Sequence, residues 1–530
     1  MLSVLTSRLR TLPRQKVVYH QGNDVRQQSF PALAADVDRI AVRLASAGIG
    51  AGVRVGILAD NCYEWLVHDL ALLQLGAICV PTPVEHFGQL PPLELAERFR
   101  LALLLVAPER QRADATPWVV PMRLEGDGAI AARSAESLQP DPDPELFTLV
   151  FSSGTSGRLK CLKVSRKGTE VLIESFGRDF RFRPDDLILA FLPLSSFQQR
   201  WMMYAAIQYG FDLGLTTPLR LFHALRDMRP TVIGAAPLLY ETVEGRYLAL
   251  PARVRKPWDA MRWLLPRLPE AWRLPLGRIV FKPFHDAFGG KVRMAITGAA
   301  PIRHTTLTFF DSIGLRLYSA YGLTEAGFLS WNVPGKVRLG AVGREVYPGA
   351  VSIADDGEIV FNHRHLLAYG YMGLDPEEEK KTFTGPGRIA TGDIGRFDAD
   401  GYLYVTGRKK DILITAGGYK IQPEDIERAV EMSTDVGRAV VFGGGDLPCV
   451  AVLVSLRDSA TEATRRTVQA HVDTVNRTLP APSRIGKLVF TEQQFTMDSG
   501  LLNRNLKVDR STVFGRFRNQ LMGISTGDAS

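Results

Sequence analysis

Cysteine is scarce in this 530-residue chain: Cys62, Cys79, Cys161 and Cys449 form no CxxC pair and no Cys/His ligand spacing. That argues against a disulfide framework or a zinc site as the organising device, and a reducing cytoplasmic setting is the expectation. Long apolar runs are missing too. The best candidate, residues 65–80, is broken by His68 and Asp69 and stays under the ~18 residues of a membrane span. The opening MLSVLTSRLR turns basic too soon for a secretory signal. There is no internal repeat, and no GxxxxGK[ST] spacing of a P-loop nucleotide site. Charge excess is modest: 64 Lys and Arg against 56 Asp and Glu give +8 and a pI near 9.2. Such a balance suits anionic small molecules or a weak peripheral membrane contact. It is too scattered to argue for nucleic acid.

What is present reads as a multi-domain α/β chain. Residues 30–47 carry helical apolar spacing (Leu33, Val37, Ile40, Leu44) that stops at Gly48. Residues 53–59 form a short strand, Asn61 with Glu64 resembles a capping box, and the helix bearing Trp65, Leu66, Leu70 and Leu73 ends at Gly76. Further short apolar strands fall at 78–80, 101–106, 146–151, 187–194, 231–235 and 292–296, which points to largely parallel sheets. Residues 253–288 are rich in Arg, Trp, Phe and Pro. They read as a helical insertion with core aromatics and solvated arginines, the alternative being an amphipathic patch for a membrane or greasy substrate. A hairpin is expected over 351–360, and His363 and His365 beyond it read as ordinary polar residues on one strand face. A composition shift at Arg408–Lys409–Lys410 then leads into a small α+β domain, giving domains 1–409 and 410–530.

The chain is organised around residues 151–160, FSSGTSGRLK, at the end of a buried strand. Glycines let backbone approach an anion, hydroxyls and N–H groups donate to its oxygens, and a lysine offsets its charge. Ser152, Ser153, Gly154, Thr155, Ser156, Gly157 and Lys160 are therefore phosphate-binding candidates. Four more stretches accompany it in order: TGAAP from Thr297, YGLTE from Tyr321, TGD from Thr391 continuing to Arg408 in GRKKD, and Leu506–Lys507.

Together these motifs resemble the adenylate-forming superfamily of acyl- and aryl-CoA synthetases, peptide-synthetase adenylation domains and luciferases. Long-chain fatty acyl-CoA synthetases resemble it most, through FLPLSSFQQR, RPTVIGAAPLLYE and FGGKVRMAITGAAP. The departures are Leu159 and Cys161 in the loop, Asn503, Arg504 and Asn505 before the lysine, and Ser196, Gln199 and Leu238 in the acyl region. The resemblance implies a large N-terminal adenylate-forming domain with a small mobile C-terminal one. It also implies that a carboxylic acid, fatty or bulky and apolar, reacts with ATP to give acyl-AMP and pyrophosphate. The acyl group then passes to CoA. An amine or amino acid, or a carrier-protein phosphopantetheine, is the alternative acceptor, and a non-catalytic nucleotide- or acyl-binding protein is the alternative from another class.

By the same resemblance, Lys507 reaches the carboxylate and the α-phosphate. Glu325 holds Mg²⁺ and Thr324 contacts phosphate. Asp393 and Arg408 take the ribose, and Gly298, Ala299, Ala300, Tyr321 and Gly322 frame adenine. The acid lies among Phe197, Trp201, Tyr204, Ala235, Ala236, Thr297, Leu323 and Ala326. The domain swings about Lys410 to bring Gly417, Gly418 and Tyr419 to the site.

Overall fold

A computed structural model describes residues 1–110, 116–125, 130–153, 159–414, 419–444, 447–457, 461–496, 499–502 and 508–523. Two large sheets form the body. In one, the strands Lys16–Gln21, Asp212–Leu215, Leu187–Ala190, Val232–Ala235, Met294–Thr297 and Leu317–Leu323 run parallel in that spatial order. Antiparallel strands close its edges. In the other, Ile78–Pro81, Arg54–Leu58, Leu103–Val106 and Val119–Pro121 are parallel, and the hairpin Leu146–Ser153/Leu159–Ser165 continues the sheet to the strand Ala368–Met372. Parallel strands buried on both faces need continuous apolar runs, and the four residues of Leu103–Val106 are all buried.

The helix Phe30–Ser46 starts at Ser29, whose hydroxyl accepts from the Ala32 amide, and buries Leu33, Val37, Ile40 and Leu44 as the spacing predicts. The helix Tyr63–Leu75 ends at left-handed Gly76. Its cap is Cys62, whose Sγ accepts from the Trp65 amide, and not Asn61. Asn61 instead donates to the Leu192 and Thr216 carbonyls and accepts from the Leu194 amide, each at 2.9 Å. A residue read as a local cap thus ties the carboxyl ends of the two sheets together.

A third sheet pairs Glu358–Asn362, Arg388–Phe397 and Leu403–Arg408 with shorter strands. The hairpin partner Val351–Ile353 lies where expected. His363 and His365 fall beyond the strand, with His363 stacked on Tyr347, so they do not share a strand face. The C-terminal segment has its own three-stranded sheet, Val436–Phe442, Val450–Leu456 and Ile485–Thr491. Alternation sorts it cleanly. Val450, Val452, Val454 and Leu456 pack under the helices Pro423–Val430 and Glu462–Thr478, while Ala451 and Leu453 pack under Arg510–Met522.

The insertion folds as the helices Ala252–Leu264, Glu270–Val280 and Lys282–Asp286. Phe281, Phe284 and Phe288 are core, as expected, but Trp263 and Trp272 stand 64% and 67% exposed. The expectation that its aromatics are core therefore holds for only part of it.

Candidate active site

The candidate residues gather where parallel strands end, the edge of a sheet at which helix and loop backbone leaves room for a ligand. Ala235 and Thr297 are register partners on adjacent strands, and Thr297 pairs in turn with Ser319. Past Thr297 the chain runs directly over its neighbour: a Cβ on Gly298 would lie 2.9 Å from the Ala320 carbonyl oxygen. Ala299 follows at φ 67°. Five described non-glycine residues have positive φ, and three of them, Arg100, Arg181 and Arg229, terminate α-helices. The other two are Phe197 and Ala299, both named from the sequence. Such a backbone costs of order 1–3 kcal/mol and persists where surrounding structure enforces it.

Two tyrosine–carboxylate pairs follow. At the first, Tyr321 Oη donates to Asp393 Oδ2 at 2.8 Å, and Arg408 Nε lies 3.0 Å from Asp393 Oδ1. Asp393 and Arg408 face each other across an antiparallel strand pair. Burial, reinforced by the Asp393 charge, pushes the Tyr321 hydroxyl well above its usual range and keeps it a donor. Gly392, at φ 71°, bends the strand Arg388–Phe397 just before Asp393, where its pairing with Glu358–Asn362 shifts register; its amide donates to Glu358 Oε1 at 2.8 Å. Glu358 Oε2 accepts from Lys409 at 2.8 Å, so one carboxylate fixes both the strand bend before Asp393 and the residue before Lys410.

At the second pair, Tyr371 Oη donates to Glu325 Oε1 at 2.8 Å. Tyr371 lies on the strand that pairs with Leu159–Ser165, and Lys160 Nζ stands 5.0 Å from its ring centroid. Lys160 also meets Glu378 at 3.3 Å. Burial and the Glu325 charge push the Tyr371 hydroxyl above its usual range. Glu325 and Thr324 occupy the turn between Leu317–Leu323 and Gly327–Trp331, half-buried, with Gly322 so close to the returning strand that a Cβ would meet the Gly327 carbonyl at 2.2 Å. Leu323 is half-buried and Ala326 buried beside them.

The aromatic members of the expected acid pocket are placed differently. Arg200 is buried against Asp69, with Nη2–Oδ1 at 2.5 Å, and the rings of Trp65, Phe147, Phe197 and Tyr204 surround its guanidinium at 5.5–5.9 Å. The Tyr204 hydroxyl donates to Asp69 at 2.6 Å. Trp201 packs edge-on against Phe176 at 4.7 Å. Because an unshielded buried ion pair is costly, Phe197 and Tyr204 have a packing task around Arg200 whatever else they line, and Trp201 has one against Phe176. Gln199, 1% exposed, is a clamp as well: its Oε1 accepts from the Phe191 and Leu192 amides and its Nε2 donates to the Gly234 carbonyl. Thr297 is different. It is 2% exposed and its Oγ1 has no hydrogen-bond partner among the described residues.

Gly154, Thr155, Ser156, Gly157, Gly417, Gly418 and Lys507 lie outside the described residues, as does the Ser153 side chain. Ser152 and Lys160 are register partners on the hairpin that carries the loop. Ala236 and Ala300 are half-buried, Lys410 is exposed and Tyr419 is 58% exposed. Sequence reasoning missed Tyr371 and Glu358. The only trace of Glu358 is its place after the Asp355–Gly357 turn, and Tyr371 sits in an unremarked strand, because each gains its role from a partner more than 30 residues away.

A family model described as "AMP-binding enzyme" matches residues 6–365, and "AMP-binding enzyme C-terminal domain" matches 410–499. The long-chain-fatty-acid–CoA ligase FadD15 of Mycobacterium tuberculosis is 26% identical across 93% of this chain and 91% of its own. Among solved structures, the anthranilate CoA ligase AuaEII in complex with anthranoyl-AMP aligns with TM-score 0.71 at 18% identity, covering 97% of this chain and 96% of its own. The amide bond synthetase McbA from Marinactinospora thermotolerans aligns with TM-score 0.69 at 20% identity, covering 98% and 100%.

Proposed function

Because the chain belongs to the AMP-binding enzyme family, we propose that it activates a fatty or bulky apolar carboxylic acid with ATP and passes the acyl group to CoA. The observation that carries the reading is the Tyr321–Asp393–Arg408 arrangement at the strand ends, a fixed carboxylate of the kind that accepts from two ribose hydroxyls. The C–O–P anhydride forms when a carboxylate oxygen attacks the α-phosphorus and the bond to pyrophosphate breaks. Negative charge meets negative charge, so donors and cations must be held in place beforehand.

The 151–160 loop with Lys160 takes the β- and γ-phosphates, the part of ATP that leaves. Lys507 neutralises the acid and α-phosphate oxygens. Gly298, Ala299 and Ala300 present backbone to adenine beside the Tyr321 ring. The Thr297 hydroxyl, buried and unpartnered among described residues, is placed to donate to the incoming acid, with Ala235, Ala236 and Leu323 as its apolar surround.

Glu325 is the residue that would hold Mg²⁺. Among the described residues no cluster of three His, Cys, Asp or Glu could hold a metal, so one carboxylate would be completed by phosphate oxygens and water, as Mg²⁺ prefers. Bound there, the ion would offset phosphate charge. Thr324 beside it contacts phosphate.

After adenylation the C-terminal domain turns about Lys410, the first residue beyond the Glu358–Lys409 anchor, and brings the 417–419 loop to the site so that CoA sulfur attacks the acyl carbon and AMP leaves. The test offers ATP, Mg²⁺ and a panel of carboxylic acids with CoA or a mixture of amines in separate tubes, with products weighed by mass spectrometry. Acyl-CoA with AMP is the expected product. Amide only, or bare acyl-AMP in every tube, overturns the acceptor, and absence of pyrophosphate release with every acid overturns the reaction.

A further inference from the structure

The helical insertion leaves a face that the adenylation site does not use. On the helix Glu270–Val280, Gly277 points inward: a Cβ there would lie 2.8 Å from the Ile313 carbonyl. The opposite side carries Trp272, Pro275, Leu276 and Ile279 at i, i+3, i+4 and i+7, all exposed, with Trp272 at 67% and Ile279 at 73%. The 3₁₀ turn Leu265–Arg267 joins it to the preceding helix, whose end adds Trp263 and Leu264, 64% and 44% exposed. An apolar helical stripe turned toward water is not packing, because packing is supplied on the other side by Leu265, Phe281 and the half-buried Trp258.

Charge sets what this face fits. Residues 252–286 contain eight Lys and Arg against three Asp and Glu, more than half of the excess behind the chain's +8. The inward-leaning cations are engaged: Arg273 pairs with Asp311 at 2.8 Å, and the Arg262 guanidinium stands 4.9 Å from the Phe309 ring centroid. Arg253, Lys256 and Arg267 are exposed around the stripe, as are Arg278, which also donates to the Val292 carbonyl at 2.8 Å, and Lys282, which pairs with Asp286; Arg267 stacks on the ring of exposed Trp263 at 3.5 Å. Tryptophan and aliphatic side chains on one face, ringed by cations, match the boundary between lipid headgroups and acyl chains. Indole tolerates that mixed environment, long basic stems reach back to phosphates, and anionic lipid attracts the whole.

We propose that this insertion docks the protein on an anionic lipid bilayer, with Trp272, Leu276 and Ile279 in the headgroup–acyl boundary. No helix of the described residues is long and apolar enough to cross a membrane, and this face lies flat on one. The insertion is carried between Val232–Ala235 and Met294–Thr297 and packs where the chain enters the sheet, with Gly277 against Ile313 and Arg278 donating to the Val292 carbonyl at 2.8 Å, so docking turns the amino ends of these strands toward the lipid and not the carboxyl ends that carry the proposed acid site.

The full chain is mixed with sedimentable vesicles of phosphatidylcholine alone or with roughly one-third phosphatidylglycerol, at low and high salt. Wild type is expected to sediment with the anionic vesicles, less at high salt and little with neutral ones. The variants Trp272→Ser/Ile279→Ser and Arg267→Glu/Lys282→Glu each lose about tenfold or more in partitioning. Both keep acid-dependent ATP–pyrophosphate exchange in lipid-free solution, which shows that they fold. Equal binding by wild type and both variants, or no binding by wild type, overturns the proposal. So does a self-association of wild type that the first variant abolishes, because the face would then be a contact between copies of this chain.

Discussion

Asp393 and Glu325 each accept a hydrogen bond from a tyrosine at 2.8 Å, yet their other surroundings differ. Asp393 is 4% exposed and already has Arg408 at 3.0 Å, so its charge is answered by a fixed cation. Glu325 is half-buried, and among the described residues no cation stands within ion-pair distance of it. On the function proposed above, such a carboxylate would take a metal ion and Asp393 would take ribose hydroxyls. The third partner, and not the tyrosine–carboxylate pair itself, separates the two tasks.

If both carboxylates only hold nucleotide and metal, removing the group that acts on the reacting atoms must cost more than removing either. Lys507→Ala is expected to lower acid-dependent ATP–pyrophosphate exchange by about 10³-fold while leaving CoA transfer from pre-made acyl-AMP within severalfold. Equal loss of both half-reactions would break that division. Glu325→Gln comes next, at about 10²-fold in kcat with a raised Mg²⁺ requirement. Asp393→Asn should instead act mainly through KM for ATP, by roughly tenfold or more, with the Mg²⁺ requirement unmoved.

The tyrosines sharpen the contrast at smaller cost. Tyr371→Phe and Tyr321→Phe each remove one hydrogen bond to a charged group, an effect of about tenfold. The first should appear in Mg²⁺ dependence and the second in KM for ATP; the reverse assignment would erase the distinction drawn between the two sites.

The smallest effect is on stability and comes from a third carboxylate that lacks good compensation. Glu424 in the C-terminal domain is pushed up to about 7 by burial, only partly offset by Arg510 at 3.7 Å. Its pKa is raised on folding from an unfolded value of about 4.3. The native state therefore holds the proton between those values, and stability falls as pH climbs from about 4.3 to about 7 and then levels. Glu424→Gln should flatten that slope and raise Tm at pH 8, by no more than about 4 kcal/mol of stability. Calorimetry across that pH range checks it, and an unchanged slope in the variant would assign the effect to another group.

Much of the architecture was legible because periodicity and strand ends are local. The helix Phe30–Ser46, the short buried strands and the α+β character of the C-terminal segment follow from spacing of apolar residues, whereas its third strand, Ile485–Thr491, was not read. Tyr321, Asp393 and Arg408 were each legible as motif residues, and the structure brings the three together. What was not legible depends on distant partners. Asn61 looks like a cap until Leu192 and Thr216 are beside it. Nothing in the sequence around Tyr204 shows that its hydroxyl donates to Asp69, 135 residues away, beside the buried Arg200–Asp69 pair. In the insertion, composition alone could not say which aromatics turn inward, because Gly277 sets that choice by its contact with Ile313.

The most direct test is exchange of labelled pyrophosphate into ATP by the full chain with Mg²⁺ and fatty acids of graded length, without CoA. Exchange that requires the acid and proceeds with no CoA present is the predicted result. No exchange with any acid, or release of phosphate and ADP in place of pyrophosphate and AMP, would contradict the account.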